Sequence, residues 1–466
     1  MPMMFFASTT QTIHHQISLT TTLFFTAILV GLILCLALEE KIHAKKSLIA
    51  GVFAVISVLS AAAFGILPIG HVTNVFGETL HLPVFLQGVD WSVIGIILGS
   101  SIFVDVTSQS GLFTWISLKL TKVSQGDPRK LLWLYGLMTV LFSAVLNNVT
   151  AMIIVGSLTV VSLERLNRRE LLLGFLLIEG LLTNVGGLLT LISSVPNIIV
   201  GTAANISFVT FFIVAAPYVL VATVMTIFIG SKQFKILPLE TVQERREAQE
   251  LMKQFDENDG IDSPGFFKFS AIMTVAFIVV IATTSILPWV KDLGMSFVAL
   301  AFAVVMLMRY KSEVDRFYKA VDWDLLGFFA ALFVVINVME HARVLHLIGL
   351  GLQAIIALGQ TTGSALMLVS AAGFSSVTDN IPLAAMLSKI LVSLGTPQDS
   401  SLWWTVIFGA NLGGNITPIG SASTLVAVTI MHKHKLKMSF VGFVKVAAPY
   451  ALLQIVVATA YVLAFL

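Results

Sequence analysis

The chain of 466 residues is 57% hydrophobic and 11% charged, against roughly 25% charged in an ordinary soluble domain. Apolar runs of about 20 residues, enough to cross a hydrocarbon core of roughly 30 Å, recur along it and exclude a water-soluble globule. The formal net charge of +2 implies neither an acidic partner nor nucleic acid, and the single cysteine, Cys35, excludes an internal disulfide and is expected only to pack.

In chain order, residues 1–16 read as a retained N-terminal tail, because the polar, His-containing stretch running on to Ser18 lacks the basic n-region and small-residue cleavage site of a signal peptide. Apolar runs follow from Leu19 to Leu38 and from Leu48 to Leu67. Lys and Arg collect at Lys41 to Lys46, Lys119 to Lys130, Arg165 to Arg169, Lys232 to Lys268, Arg309 to Lys319 and Lys433 to Lys437. The positive-inside rule places all six clusters in the cytoplasm. The Arg- and Lys-free connections Pro68 to Val89 and Gly201 to Ile206 then face outward, and both termini are expected outside.

The first repeat is assigned to 17–230. Within it, GLFTWISLKLTK from Gly111 is short and amphipathic, and is expected to lie along the cytoplasmic interface. In 131–163, two apolar segments of roughly 15 residues flank Asn147 and Asn148 while both ends must be cytoplasmic, too short for ordinary crossings. The expectation is a re-entrant hairpin with the Asn pair at its tip, its backbone buried or lining a wet cavity. The run 171–200 is interrupted by Asn184, Gly186, Gly187 and Pro196 and reads as a broken helix.

Residues 231–266 are charged and read as a cytoplasmic linker with a short solvated helix, expected only to join the halves. In the second repeat, 267–466, VDWDLLGFFAALFV from Val321 echoes VDWSVIGIILGSSIFV from Val89. SVTDNIPLAAM marks a hairpin over 363–394, here entering from outside, and GANLGGNITPIGSAST a broken helix over 401–431. The expected fold class is therefore an all-α polytopic membrane protein of two inverted repeats, with about 10 spanning helices, two re-entrant hairpins and two broken helices.

Acids within the membrane are costly unless paired, wet or neutralised. Asp379, beside Thr378 and Asn380 at the second tip, is the first candidate for ion or proton binding; the alternative is that it merely caps the next half-helix. Glu179, one turn before the first break, is the second candidate, with a structural partnership as its alternative. The amides Asn147, Asn148, Asn184, Asn380, Asn411 and Asn415 collect with Thr150, Thr183, Thr190 and Thr417 around the breaks. Such groups can coordinate a dehydrated cation or hold an oxyanion, although each could also satisfy broken-helix backbone. Gly186 with Gly187, and Gly413 with Gly414, suit unwinding and close backbone approach. Asp105, Glu340, His341 and Arg343 fall near span ends, where snorkelling or interfacial pairing is expected, and Asp90 and Asp322 precede spans as anchors.

On SAVLNNVTAM, EGLLTNVGG with PNIIV, WDLLGFFAALFV, DNIP and GANLGGNITPIGSAS, the chain resembles the arsenite permease and NhaD-type antiporter family of the ion transporter superfamily, and most of all its P-protein (pink-eyed dilution) branch. The resemblance covers most of the chain from about Asp90, apart from the linker. It implies a scaffold part and a transport part, often in a homodimer, with elevator-like movement of the hairpins. The binding site it implies is Asn147 to Thr150, Thr183 to Gly187, Asp379 to Pro382 and Asn411 to Asn415. Two departures matter: Asn147 stands where the branch usually has Asp, and Ile192, Ser193, Ser194, Val195, Pro196, Asn197 replace Ile-Gly-Asp-Pro-Pro-Asn.

The expected function is secondary transport of a small ion across a bilayer, by a sodium or other cation/proton antiporter in a plasma (inner) membrane. The alternative is an anion or metalloid permease for arsenite, chloride or a carboxylate, which the loss of two acids suits. No cofactor or resident metal is expected beyond Na+ or H+ as coupling ion. No motif of an intramembrane serine, aspartyl or zinc protease is present; a passive channel would differ in needing no coupling gradient.

Overall fold

The computed structural model describes residues 17–67, 72–73, 78–80, 83–252, 256–258, 260–378 and 380–466. The N-terminal tail, part of the Pro68 to Val89 connection and Asp379 therefore lie outside the described residues. In the first half run α1 Leu19–Ala37, α2 Glu39–Ile42, α3 Lys46–Ala63, α4 Trp91–Ser108, α5 Leu112–Ser124, α6 Pro128–Val145, α7 Asn148–Arg165, α8 Leu172–Gly186, α9 Val195–Ala203 and α10 Phe208–Gln233. The linker carries α11 Val242–Met252. The second half has α12 Pro264–Thr283, α13 Val290–Leu307, α14 Val314–Ala320, α15 Trp323–His341, α16 Val344–Ile356, α17 Gln360–Ser375, α18 Asn380–Ser393, α19 Ser401–Gly413, α20 Ala422–Lys433 and α21 Phe440–Phe465. Between α3 and α4, Val72–Thr73 and Thr79–Leu80 form an antiparallel ladder, two residues a strand. The fold is otherwise all-α.

Among the described residues, nine helices are long and apolar enough to cross a membrane. Their outer faces carry large apolar side chains in the open, such as Leu59, Ile213, Ile272 and Val456, which only lipid can solvate at this density. α8 and α19 are the opposite case. Nearly every residue of each is buried, so these apolar helices form the centre of the bundle.

The order long helix, short helix, helical hairpin, broken helix, 26-residue helix occurs twice, as α4 to α10 and as α15 to α21. The packing is reciprocal: α3 lies on α15 and α13 on α4, while α7 lies on α20 and α18 on α9. α10 and α21 each contain Val-Ala-Ala-Pro-Tyr, with Pro217 and Pro449 inside the helix. Asp90 and Asp322 cap the helices they precede, accepting from Ser92 and Val93 amides and from the Leu325 amide.

Two expectations need correcting. The arms of the first hairpin are 18 residues each rather than 15, because Asp127 accepts from the Lys130 amide and Pro128 starts α6 early, while α7 continues to Arg165. α7 is itself long and apolar enough to cross, so length alone does not make this hairpin re-entrant. The linker also does more than join the halves. The Leu239 amide donates to Asp127 at 3.0 Å, Ala248 packs on Gly126, and Glu257 pairs with Lys122 and, at 3.6 Å, with Lys119. It is docked on the turn from α5 to α6.

Candidate transport site at the helix breaks

Each break begins where a helix runs out of room for a side chain. A Cβ on Gly186 would lie 2.7 Å from Val140 Cα and 2.8 Å from its carbonyl oxygen, and one on Gly413 would strike the Ala372 carbonyl. Both breaks are thus pressed against the first arm of their own hairpin, which glycine alone permits. The chain then leaves the helix, and Ser194 and Ser421, both extended, start α9 and α20.

The freed polar groups meet one another. Asn184 Nδ2 donates to Asn415 Oδ1 at 2.8 Å and to Ser421 Oγ at 3.0 Å, while Asn184 Oδ1 accepts from Ser423 at 3.0 Å and from Asn148 Nδ2 at 3.3 Å. Asn148 is itself held by Ser143 at 2.9 Å, and Ser143 also donates to the Thr183 carbonyl at 2.6 Å. Across the junction Asn411 Nδ2 donates to Asn197 Oδ1 at 2.9 Å and Asn411 Oδ1 accepts from Ser194 at 2.7 Å. Asn415 continues to Gln454 at 2.9 Å and to the Leu181 carbonyl at 3.1 Å. Asn184, Asn197, Asn411 and Asn415 are all fully buried, where an unpaired amide costs about 1–3 kcal/mol. The pairing makes that burial tolerable.

The structure places the remaining expected residues as follows. Asn147 caps α7 by accepting from the Thr150 amide at 2.8 Å. Thr183 donates to the Gly180 carbonyl, Thr190 to the Ala144 carbonyl at the first tip, and Thr417 to the Ser376 carbonyl near the second. Gly187 lies against the Asn148 amide and Gly414 against Ser421. Asn380 is buried as the first residue of α18. Thr378 only donates back to the Phe374 carbonyl of its own turn and is not joined to the network. Asp379 lies outside the described residues. Glu179 is fully buried; one oxygen accepts from Thr159 at 2.7 Å and Oε2 has no partner.

Sequence reasoning missed Ser143, Ser194, Asn197, Ser421, Ser423 and Gln454. A signal was available for two: Ser194 follows Asn184 by the same interval that separates Ser421 from Asn411. The others are ordinary polar residues until packing brings them together.

Three helix N-termini, those of α7, α9 and α20, open on this network through Asn148, Ser194 and Ser421, and α18 starts at the buried Asn380 beside α9 and α19. Such termini carry partial positive charge. Ser194 makes no cap to its own helix, since its hydroxyl goes to Asn411. Among the described residues no cluster of His, Cys, Asp and Glu could hold a metal ion. A cavity of 330 Å³ lies between the segment leading into α4, the second half of α15, α9 and α18, with Asp90, Thr202, Ser388 and Lys389 in its walls.

The family described as CitMHS, citrate transporter, matches residues 25–409. An uncharacterized transporter of Mycobacterium bovis is 28% identical over 380 residues, covering 80% of this chain and 86% of the relative. The P protein of Homo sapiens is 24% identical over 515 residues, covering 92% of this chain and 60% of that protein, in keeping with the likeness in the motifs. Among solved structures, the YdaH transporter of Alcanivorax borkumensis superposes with a TM-score of 0.59 at 15% identity, over 90% of this chain and 98% of that one. MtrF of Neisseria gonorrhoeae gives 0.58 at 14% identity, over 91% and 95%; at these identities the likeness is one of fold. The crossed breaks, the lipid-facing helices and the family match together lead to one statement: the chain belongs to the citrate transporter family and is a multi-pass membrane transporter.

Proposed function

We propose that the protein is a secondary active transporter of a small carboxylate anion of the citrate type, bound where the two breaks cross and driven by Na+ or H+. The observation that carries this reading is the start of α9, which opens on the buried amide network without a side-chain cap. Backbone N–H groups and the helix dipole there suit a carboxylate. The amides of Asn148, Asn184, Asn411 and Asn415 supply neutral donors beside it, and the acids usual in the P-protein branch, replaced here by Asn147 and Ser194, would have repelled it. Asn380 is assigned to the same pocket from the second tip. The family match supports the substrate class.

The two hairpins are taken to move with the breaks against α3, α4, α13 and α15, as elevator transport requires, within a homodimer in a plasma membrane and with the halves inverted. The reciprocal packing supports the inversion. A second reading, cation/proton antiport through Asp379 and Glu179, is favoured by one observation, the buried carboxyl of Glu179 with a free oxygen.

Purified protein in vesicles decides between them. Carboxylate transport predicts citrate uptake driven by an inward Na+ or H+ gradient and diminished by Asn184→Ala. Sodium-driven proton movement without citrate, lost in Asp379→Asn, would instead establish antiport; uptake of arsenite or chloride in place of citrate would overturn the carboxylate assignment.

A further inference from the structure

Beside the breaks lies a second buried polar cluster that the substrate site does not use. The phenol of Tyr135 on α6 is within 2.7 Å of three hydroxyls, those of Ser117 and Thr121 on α5 and Ser162 on α7. All four residues are buried to within 1%. Thr159, the partner of Glu179, stands one turn before Ser162 on the same face of α7.

The other ionisable groups on helices packed against α8 sit elsewhere. Arg129, Lys130, Glu164, Arg165, Lys232, His432 and Lys433 fall in the first or last turns of α6, α7, α10 and α20, with Lys445 near the start of α21. Tyr218, Tyr450 and Tyr461 donate to the Gln454 carbonyl, to Gln233 and to the Val214 carbonyl, and Arg169 and Glu170 lie in the 3-10 turn that precedes α8. Among the described residues no cation on these helices offsets Glu179, whose burial as a bare carboxylate would be expensive. Its unpaired oxygen is fully buried.

We infer that Glu179 carries a proton through the transport cycle and that Tyr135, with Ser117, Thr121 and Ser162, forms the route that loads it from the α5 side. A proton enters the hydroxyl chain from water beyond α5, each hydroxyl passes one on as it receives one, and a single water spans the step from Ser162 to Thr159. O–H bonds break and form in equal number along the chain. The only net change is Glu179 going from carboxylate to carboxylic acid. Tyr135 and Thr159 relay the proton, and Glu179 is the carrier. This inference rests on the reading of the chain as a secondary transporter.

Two measurements on the full chain test it. The acid-minus-alkaline infrared difference spectrum of purified protein should contain a buried-carboxyl band that Glu179→Gln removes, and Tyr135→Phe should leave the band but slow its exchange into D2O about tenfold, the effect of one lost hydroxyl hydrogen bond. A spectrum unchanged by Glu179→Gln, or exchange unaffected by Tyr135→Phe, overturns the carrier or the route. In vesicles, Glu179→Gln should lose proton-driven citrate accumulation far more than citrate counterflow. Equal loss of both would overturn the carrier role. Absence of any citrate transport by the unaltered protein would sink the substrate reading, and the infrared result would still stand or fall alone.

Discussion

Asn411, in the second break, accepts a hydrogen bond at 2.7 Å from Ser194, which starts the second segment of the first. The relation is returned by Asn184, which accepts from Ser421 at 3.1 Å. Each break is completed by a hydroxyl from the opposite half, so neither half holds a finished site.

Removing either amide should therefore damage both breaks. Asn184→Ala and Asn411→Ala are each expected to leave buried partners unpaired and to lower stability by about 1–3 kcal/mol, with transport lost. Thermal melting in detergent and vesicle uptake would check this. In a double-mutant cycle, Ser194→Ala and Asn411→Ala should show an interaction of about 1 kcal/mol; strict additivity would mean that the crossed bond contributes nothing.

The glycines at the breaks should separate packing from binding. Gly186→Ala forces a methyl into the Val140 backbone and Gly413→Ala into the Ala372 carbonyl, each costing about 1–3 kcal/mol by overpacking. Gly187→Ala instead meets the Asn148 side-chain amide, which can turn aside. It is expected to raise KM for uptake severalfold while leaving the melting temperature within a few degrees of the unaltered protein.

Linker docking should depend on acid. The hydrogen bond from Lys122 is the largest influence on the Glu257 carboxyl and holds it below the ordinary carboxylate value. A depressed acid stabilises above its unfolded-state pKa and stops doing so as pH falls through the lower, folded value. Hydrogen exchange at residues 119–126 should thus stay slow through the neutral range and rise only below the ordinary glutamate range. Glu257→Gln should show the faster exchange already at neutral pH.

Much of this architecture was legible along the chain. The positions of Asn147, Asn148, Asn184 and Asn411 between apolar runs, each beside a glycine or a second amide, located both breaks and the first tip, because a polar group inside an apolar span needs a reason to be there. The repeated Val-Asp-Trp and Asn-x-Gly-Gly motifs similarly exposed the doubled order. The length of the first hairpin was misjudged because its charged ends, Arg129, Lys130, Glu164 and Arg165, are helical too, and hydropathy sees only the apolar middle. The linker misled for a related reason: its charges suggested solvent, whereas Glu257 and Leu239 face partners on α5 and at the α6 cap.

By itself the sequence determined that the protein lives in lipid, that its helices come in two sets of the same order, and where each set is interrupted. Periodicity, length and local backbone preference are properties of neighbours in the chain. Only the tertiary structure decided that Ser194 serves Asn411, that Ser421 and Ser423 serve Asn184, and that Tyr135 gathers hydroxyls from α5 and α7 beside Glu179. Those partners are hundreds or tens of residues apart, and a buried polar group is paired by whatever the packing of helices brings within about 3 Å of it.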